Sequence, residues 1–179
     1  MEDPSEVLDA AARFLEARQR SVAEVRRKLV GLGYQSALVE QVLARLEELR
    51  YLDDESFARA WVDSRDRAHP RGEYALRHEL EQRGVAREII DAVLEDRRAA
   101  PQGVEAVASA DELAARRLIE KRASALRREP DPRKRRQRAY ALLAKAGFAP
   151  DLCSSISRLV VDPAGGDDDD GPGDLEGMP

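Results

Sequence analysis

Cysteine and histidine are scarce in this chain, and aromatic residues are few. Its 179 residues include 1 cysteine, Cys153, and 2 histidines, and aromatic residues make up 4%. A single cysteine excludes an intramolecular disulfide framework and any metal cluster that several cysteines hold. No run approaches the roughly 18 apolar residues of a membrane span, and the N-terminus lacks the basic and then apolar pattern of a secretory signal. We therefore expect a soluble cytoplasmic protein that contacts no membrane.

Motifs of catalysis and cofactor binding are absent as well. The sequence contains no GxxxxGK phosphate loop, no GxGxxG turn, no HExxH metal motif and no nucleophile elbow. Cys153 stands beside Leu152 and Ile156 on an apolar helical stripe, which is typical of a small core side chain. We therefore expect no enzymatic activity, no cofactor, no catalytic residue and no metal site.

Charge is distributed unevenly along the chain. The net charge is -5, yet residues 162–179 contain seven acidic residues and no lysine or arginine, which leaves +2 for residues 1–161. Residues 116–138 instead contain eleven lysines or arginines against three acidic residues, a local balance of +8. The glycine- and aspartate-rich end buries little and repels itself, so it is predicted to be a disordered acidic tail. Such a tail keeps the chain soluble or competes with an acidic partner for the basic segment; a calcium site is the weakest alternative, because consecutive aspartates lack the ligand spacing of an EF-hand loop.

Apolar residues recur at helical spacing almost throughout, and no segment alternates with period two. The first fifty residues carry three such stripes: Val7, Ala11, Phe14 and Leu15; Val22, Val25, Leu29 and Leu32; and Leu38, Val39, Val42, Leu43, Leu46 and Leu49. Ser21 with Glu24 forms a capping box for the second helix, and Ser36 is expected to cap the third. Asp131 followed by Pro132, and Ala149 followed by Pro150, are typical helix starts.

The pattern returns twice, with Gly33, Gly84 and Gly147 in register. Apolar residues stand four and eight positions before each glycine and one, five and nine positions after it. Each glycine is expected to form the turn between the second and third helix of a repeat, where a left-handed backbone costs glycine least. The predicted fold class is all-α, an elongated tandem array of three three-helix repeats. Its segments are 1–52, 53–98, a linker 99–108, a basic repeat 109–161 and the tail 162–179.

The basic segment is the strongest candidate for an interaction surface. Its densest part consists of Arg127, Arg128, Arg133, Lys134, Arg135, Arg136 and Arg138. Arginine at this density suits phosphate oxygens, because its planar fork and permanent charge match them. Nucleic acid, an acidic protein surface and a merely solvated face all remain open. Only Tyr140 lies nearby as an aromatic, so a nucleic-acid contact would engage the backbone and depend on salt.

The acidic corner Asp53, Asp54 and Glu55 stands where one helix ends and the next begins. Carboxylates at a helix start accept hydrogen bonds from free amides and interact favourably with the helix dipole. Capping is therefore the first interpretation, and contact with a partner at the corner of residues 51–54 is the second.

Several motifs together resemble the RecX family of RecA regulators. They are the opening SVAEVRRKL with Gly33 and Tyr34, the corner YLDDESFA of residues 51–58, Arg71 with Gly72, and the segment LRHELEQRGV of residues 76–85. The resemblance spans about residues 5–160. It implies tandem three-helix repeats and a non-enzymatic regulator that binds the RecA filament on DNA. Suppression of ATP hydrolysis, strand exchange and coprotease action is also implied.

On this resemblance we assign candidate residues to two surfaces. The RecA filament is expected to contact Tyr51, Asp53, Asp54, Arg71 and Arg77. The phosphates of single-stranded or duplex DNA are expected to contact the seven basic residues at 127–138, and the protein itself is expected to be a monomer. A stand-alone helical DNA-binding protein and an adaptor for an acidic protein are the alternative functions.

Overall fold

The computed structural model describes residues 3–99 and 108–160, and these residues form helices and turns without a strand. Within these ranges there are nine helices: α1 (Pro4–Glu16), α2 (Val22–Gly31), α3 (Ser36–Glu48), α4 (Asp54–Ala68), α5 (Glu73–Gln82), α6 (Arg87–Ala99), α7 (Ala110–Arg127), α8 (Pro132–Lys145) and α9 (Pro150–Leu159). The predicted all-α fold of tandem three-helix units is confirmed. The tail expected at 162–179 and most of the linker expected at 99–108 lie outside the described residues.

Each group of three consecutive helices surrounds its own apolar cluster, and we call α1–α3, α4–α6 and α7–α9 the first, second and third repeats. Fully buried side chains from all three helices meet in each cluster, for example Leu76 and Leu80 of α5 against Ile90 and Leu94 of α6. Cys153 is buried in the third cluster, and burial raises the pKa of its thiol. Its predicted role as a small core side chain is confirmed.

Most predicted helix starts are present in the structure. The Ser21 hydroxyl accepts the Glu24 amide at 3.1 Å, and the Glu24 carboxylate accepts the Ser21 amide at 3.2 Å, which completes the predicted capping box. Asp131 caps α8 through the amide of Arg133 at 2.9 Å. Ser36 does not cap α3 as predicted, because it is already the first helical residue and Gln35 holds the cap position.

Two residues of the predicted apolar stripes are exposed instead of buried. Leu32 and Leu49 are 52% and 47% exposed. Both stand at the C-cap positions of their helices, α2 and α3. The chain changes direction there, so helical periodicity no longer decides which way a side chain points.

The three glycines form the predicted left-handed turns. Gly33, Gly84 and Gly147 have φ angles of 96°, 75° and 83°. In each turn the following residue donates its amide back to a carbonyl in the last helical turn, as in Val85 to Leu80 at 3.2 Å. This closure ends the helix and returns the chain to the core, where Val85 and Phe148 are buried.

The first and second repeats join through the start of α2. The Ser21 hydroxyl, which is fully buried, donates to the Arg83 carbonyl at 2.6 Å. The amide of Val22 donates to the Asp54 carboxylate at 2.9 Å. The residue that caps α2 therefore also binds the carbonyl that precedes the Gly84 turn of the next repeat.

The second and third repeats join by the same design at the start of α5. The amide of Gly72, the cap residue, donates to the Ala146 carbonyl at 3.0 Å, directly before the Gly147 turn. The amide of Glu73 donates to the Asp111 carboxylate at 3.1 Å. Asp111 thus does for α5 what Asp54 does for α2.

Close backbone approach explains the glycines at both joints. A Cβ built on Gly84 would lie 2.4 Å from the Cβ of Ala23, and one built on Gly147 would lie 2.4 Å from the Cβ of Ala75. At Gly33 nothing lies within 4 Å of such a Cβ. Gly33 is therefore needed for its turn alone, whereas Gly84 and Gly147 also permit one repeat to pack on the previous one.

Candidate interaction surfaces

The basic segment occupies the turn between α7 and α8. Arg127 ends α7, Arg128 holds its C-cap position, and α8 begins at Pro132. Arg127, Arg128, Arg133, Lys134, Arg136 and Arg138 are exposed, and Arg135 is half-buried. The turn thus concentrates positive charge at one end of the third repeat.

Two of the seven predicted phosphate contacts are engaged within the repeat. Arg138 pairs with the Glu129 carboxylate at 2.7 Å, and Glu129 is only 8% exposed. The Arg135 guanidinium donates to the Glu129 carbonyl at 3.1 Å. These two arginines hold the α7–α8 turn in shape, so they are less available to a partner than their charge alone suggests.

The other five carry no side-chain hydrogen bond or ion pair within residues 3–99 and 108–160. They are Arg127, Arg128, Arg133, Lys134 and Arg136. Asp131 contributes its carboxylate to the amides that open α8, which leaves the side chains of Arg133 and Lys134 unpaired. We call these five residues the α7–α8 basic surface.

Tyr51 and Asp53 lie together in the turn between α3 and α4. Tyr51 is 70% exposed, and Arg50 before it has a positive φ of 60°. The Asp53 carboxylate accepts the amides of Glu55 and Ser56, each at 3.0 Å, and the hydrogen bond from the Ser56 amide lowers its pKa. Asp53 is therefore the cap of α4, and Tyr51 presents the free side chain of this corner.

Asp54, which follows Asp53 directly, and the more distant Arg71 and Arg77 are engaged by other groups. Asp54 is half-buried at the first joint, and burial raises its pKa despite the hydrogen bond from Val22. Arg71 lies 3.5 Å from Glu79 and lines a cavity beside the third repeat. Arg77 pairs with Asp91 of α6 at 2.5 Å. Four of the five predicted filament contacts therefore have partners within the described residues, and Tyr51 is the exposed one without such a partner.

A buried arginine at the second joint escaped sequence reasoning. The Arg97 guanidinium binds Asp66 at 2.9 and 3.0 Å and Asp111 at 2.6 Å, and its side chain is 7% exposed. Burial opposes its charge, but the hydrogen bonds that Arg97 donates to both carboxylates outweigh burial and raise its pKa. Alignment of the repeats would have paired Asp54 with Asp111 as acidic residues that open equivalent helices, but nothing in the sequence connects Arg97 to them.

A second cluster surrounds Trp61 between α4 and α5. The guanidinium carbons of Arg83 and Arg65 lie 3.6 and 4.4 Å from the centre of its ring, and the indole donates to Glu79 at 2.8 Å. Arg65 also pairs with Glu79 at 2.7 Å. Burial lowers the pKa of Arg83. Because the Trp61 ring makes cation–π contacts with both arginines, it is engaged within the protein.

Metal and membrane sites were searched over the described residues. Across residues 3–99 and 108–160 no three histidine, cysteine or carboxylate side chains converge as ligands for a metal ion. None of the helices described above is long and apolar enough to cross a membrane.

The fold defines an all-helical protein built of three-helix repeats. The family model described as "RecX, first three-helix domain" matches residues 8–46, and the one described as "RecX, second three-helix domain" matches residues 53–94. These matches coincide with the first two repeats.

Whole-length relatives agree with these matches. Regulatory protein RecX of Chlorobium phaeobacteroides is 33% identical over 150 residues, which cover 82% of this chain and 87% of the relative. Regulatory protein RecX of a Mycobacterium species, strain JLS, is 34% identical over 156 residues, which cover 86% of this chain and 79% of the relative. The chain belongs to the RecX family of regulatory proteins.

A solved structure shares the fold. The crystal structure of RecX from Lactobacillus salivarius superimposes with a TM-score of 0.69 at 20% identity, covering 88% of this chain and 96% of the other. At this identity the likeness concerns the arrangement of the helices.

Proposed function

We propose that this chain binds the RecA filament on DNA and suppresses its ATP hydrolysis, strand exchange and coprotease activity. Membership of the RecX family supports a regulatory role. The observation that carries the proposal is the α7–α8 basic surface, whose five cations have no carboxylate partner among the described residues. An unpaired cluster of this kind is suited to phosphate groups.

Two separate surfaces have different roles in this proposal. The α7–α8 basic surface contacts the DNA phosphates of the filament, without reading bases. Tyr51 is the candidate contact for RecA itself, because its ring is 70% exposed and its neighbours Asp53 and Asp54 already serve as caps. Binding at both surfaces would hold neighbouring RecA subunits in a geometry unfit for hydrolysis or extension.

The test is the rate of ATP hydrolysis by RecA on excess single-stranded DNA, titrated with this protein. The DNA is in excess so that competition between this protein and RecA for DNA sites does not imitate inhibition. We expect the hydrolysis rate to fall when the amount of this protein added is still well below one molecule per RecA subunit. An unchanged rate with active RecA would refute the proposal.

Variants then separate the two contacts. Arg133→Ala, Lys134→Ala and Arg136→Ala together remove three unpaired cations and should raise the concentration needed for half-inhibition about tenfold at moderate salt. Tyr51→Ala should weaken inhibition without changing the affinity for bare DNA. Arg45→Ala, which removes one exposed cation of a surface ion pair, is the control and should change neither.

A stand-alone DNA-binding protein is the second candidate, and the same unpaired basic surface favours it. An electrophoretic shift of duplex DNA with and without RecA distinguishes the two candidates. Tight binding without RecA, combined with unaltered ATP hydrolysis, would favour the second.

A further inference from the structure

A basic cavity lies where the second and third repeats meet, away from the α7–α8 basic surface. Its volume is about 440 Å³, and it is bounded by the end of α4, the middle of α7 and the end of α8. Leu118 and Leu142 contribute apolar walls. Four cationic side chains surround it: Arg71, Lys121, Arg122 and Lys145. We call it the joint cavity.

Charge in the joint cavity is poorly compensated. None of the described residues that line it is acidic. Arg122 and Lys145 are exposed and make no side-chain hydrogen bond or ion pair in the described part of the chain. Four like charges around one small cavity repel each other, so an anion that enters it relieves this repulsion.

The other two cations, Lys121 and Arg71, contact groups of the fold. Lys121 donates to the carbonyls of Arg67 and Ala68 at 3.1 and 2.9 Å, which fixes its ammonium at the end of α4. The Nε of Arg71 is buried and lacks a hydrogen-bond partner, although Glu79 lies 3.5 Å away. Glu79 already binds Trp61 and Arg65, so it compensates Arg71 only in part. The cavity therefore combines one cation fixed by hydrogen bonds, one that is only partly compensated and two free ones.

We propose that the joint cavity binds a phosphate of a nucleic-acid backbone. The inference rests on the proposed DNA contact and adds to it a second phosphate site on a different surface. A backbone phosphate carries a permanent negative charge and two free oxygens, which can accept hydrogen bonds from guanidinium and ammonium groups.

The geometry of α8 connects the two sites. Lys145 ends α8 and Arg133 stands in its first turn, so the two lie roughly 18 Å apart at 1.5 Å per residue. A B-form strand covers that distance in about five nucleotides. One strand along α8 can therefore place different phosphates at the α7–α8 basic surface and in the joint cavity.

The test measures binding of fluorescein-labelled oligo-dT, about 20 nucleotides long, by anisotropy at several salt concentrations. Arg122→Gln with Lys145→Gln removes the two free cations of the cavity. Affinity should fall about tenfold, and the negative slope of log affinity against log salt should become shallower by about 1.4, as expected for two lost contacts to a single strand. The variant should unfold at the same or a higher temperature than the unaltered protein, because neither side chain has an internal partner and their loss relieves repulsion between like charges.

The matched control is Arg13→Gln with Arg87→Gln. It makes the same change in net charge at two exposed helical positions of the first and second repeats. Its affinity should stay within twofold, with an unchanged salt slope. Equal losses in the cavity variant and the control would overturn the proposal, because they would reflect net charge alone.

A second arm separates nucleic acid from free phosphate. Sodium phosphate is titrated at constant ionic strength while amide chemical shifts of Lys145 and Ala146 are followed, and then oligo-dT is added. Oligo-dT should shift these amides at micromolar concentration and phosphate only at millimolar concentration. Shifts with phosphate and none with oligo-dT would overturn the proposal. Inhibition of RecA is measured separately, so a failure of the filament proposal does not obscure the oligonucleotide result.

Discussion

The Arg97 guanidinium binds the Asp111 carboxylate at 2.6 Å across the boundary between the second and third repeats. The other oxygen of Asp111 accepts the amide of Glu73 at the start of α5. Asp66 of α4 binds Arg97 on its remaining side. One buried arginine therefore joins three helices, α4, α6 and α7, and orients the carboxylate that caps a fourth.

Removal of this arginine should be costly. Arg97→Ala leaves Asp66 and Asp111 without their cation in a largely buried site, which typically costs about 3–5 kcal/mol. The neighbouring Arg98→Ala is the control: Arg98 pairs with Glu73 at the surface, where an ion pair contributes about 0–1 kcal/mol. Urea unfolding measures both. Similar losses for the two variants would show that Arg97 is not the link between the repeats.

The turn glycines should differ in how they tolerate alanine. Gly33→Ala introduces only the strain of a positive φ, about 1–3 kcal/mol. Gly84→Ala and Gly147→Ala add a clash with Ala23 or Ala75 at the joints, so each should destabilise the protein more than Gly33→Ala. Thermal unfolding of the three variants checks this order. If Gly33→Ala were the most damaging, close packing at the joints would not explain the other two glycines.

Substitution of Asp54 by alanine should destabilise the protein, whereas substitution by asparagine should not. Alanine leaves the Val22 amide without its acceptor, which should cost about 1 kcal/mol. Asparagine keeps an oxygen for that amide and removes a charge that burial disfavours, so Asp54→Asn should unfold at the same or higher denaturant concentration at pH 7.

The pH dependence follows from the raised pKa of Asp54. The folded protein binds a proton at this carboxyl more tightly than the unfolded chain, whose pKa is near 3.8. Asp54 therefore stabilises the folded state at low pH. This contribution is lost as the pH rises through the pKa of Asp54 in the folded protein, which lies above 3.8. Relative to Asp54→Asn, the unaltered protein should gain free energy of unfolding as pH falls from 7 to 4. A constant difference between the two would contradict this.

Deletion of residues 162–179 should strengthen DNA binding at low salt. It changes the net charge from -5 to +2. Long-range repulsion between the protein and DNA phosphates decreases, so affinity should rise several-fold in about 50 mM salt and converge with the full chain near 1 M, where screening acts within about 3 Å. A chain with Asp167, Asp168, Asp169 and Asp170 changed to asparagine keeps the length and should give part of the gain. Unaltered affinity at low salt would leave the segment a solubilising role.

Local chemistry was readable without a structure. The Ser21 capping box, the Asp131–Pro132 start of α8 and the turns at three glycines depend on residues a few positions apart, so the sequence alone predicts them. Leu32 was misjudged because helical periodicity does not indicate where a helix ends.

The candidate sites were only partly predictable for a related reason. Sequence density identified the basic segment, but it did not reveal that Glu129 engages Arg135 and Arg138. The joint cavity collects Arg71 from the second repeat with Lys121 and Lys145 from the third, and residues so far apart in the chain acquire a common function only through packing.

The sequence by itself determined the helices, their register and the three-fold repetition, because helical periodicity, capping and glycine turns are local properties of the chain. Tertiary structure decided which charges are structural and which are free. Asp54, Asp111 and Arg97 became the links between repeats, whereas the five cations between α7 and α8 stayed unpaired. The physical reason is that ion pairing and burial depend on which helix ends meet. Both joints bring helix ends together in the same way, through a helix start that contacts the glycine turn of the next repeat.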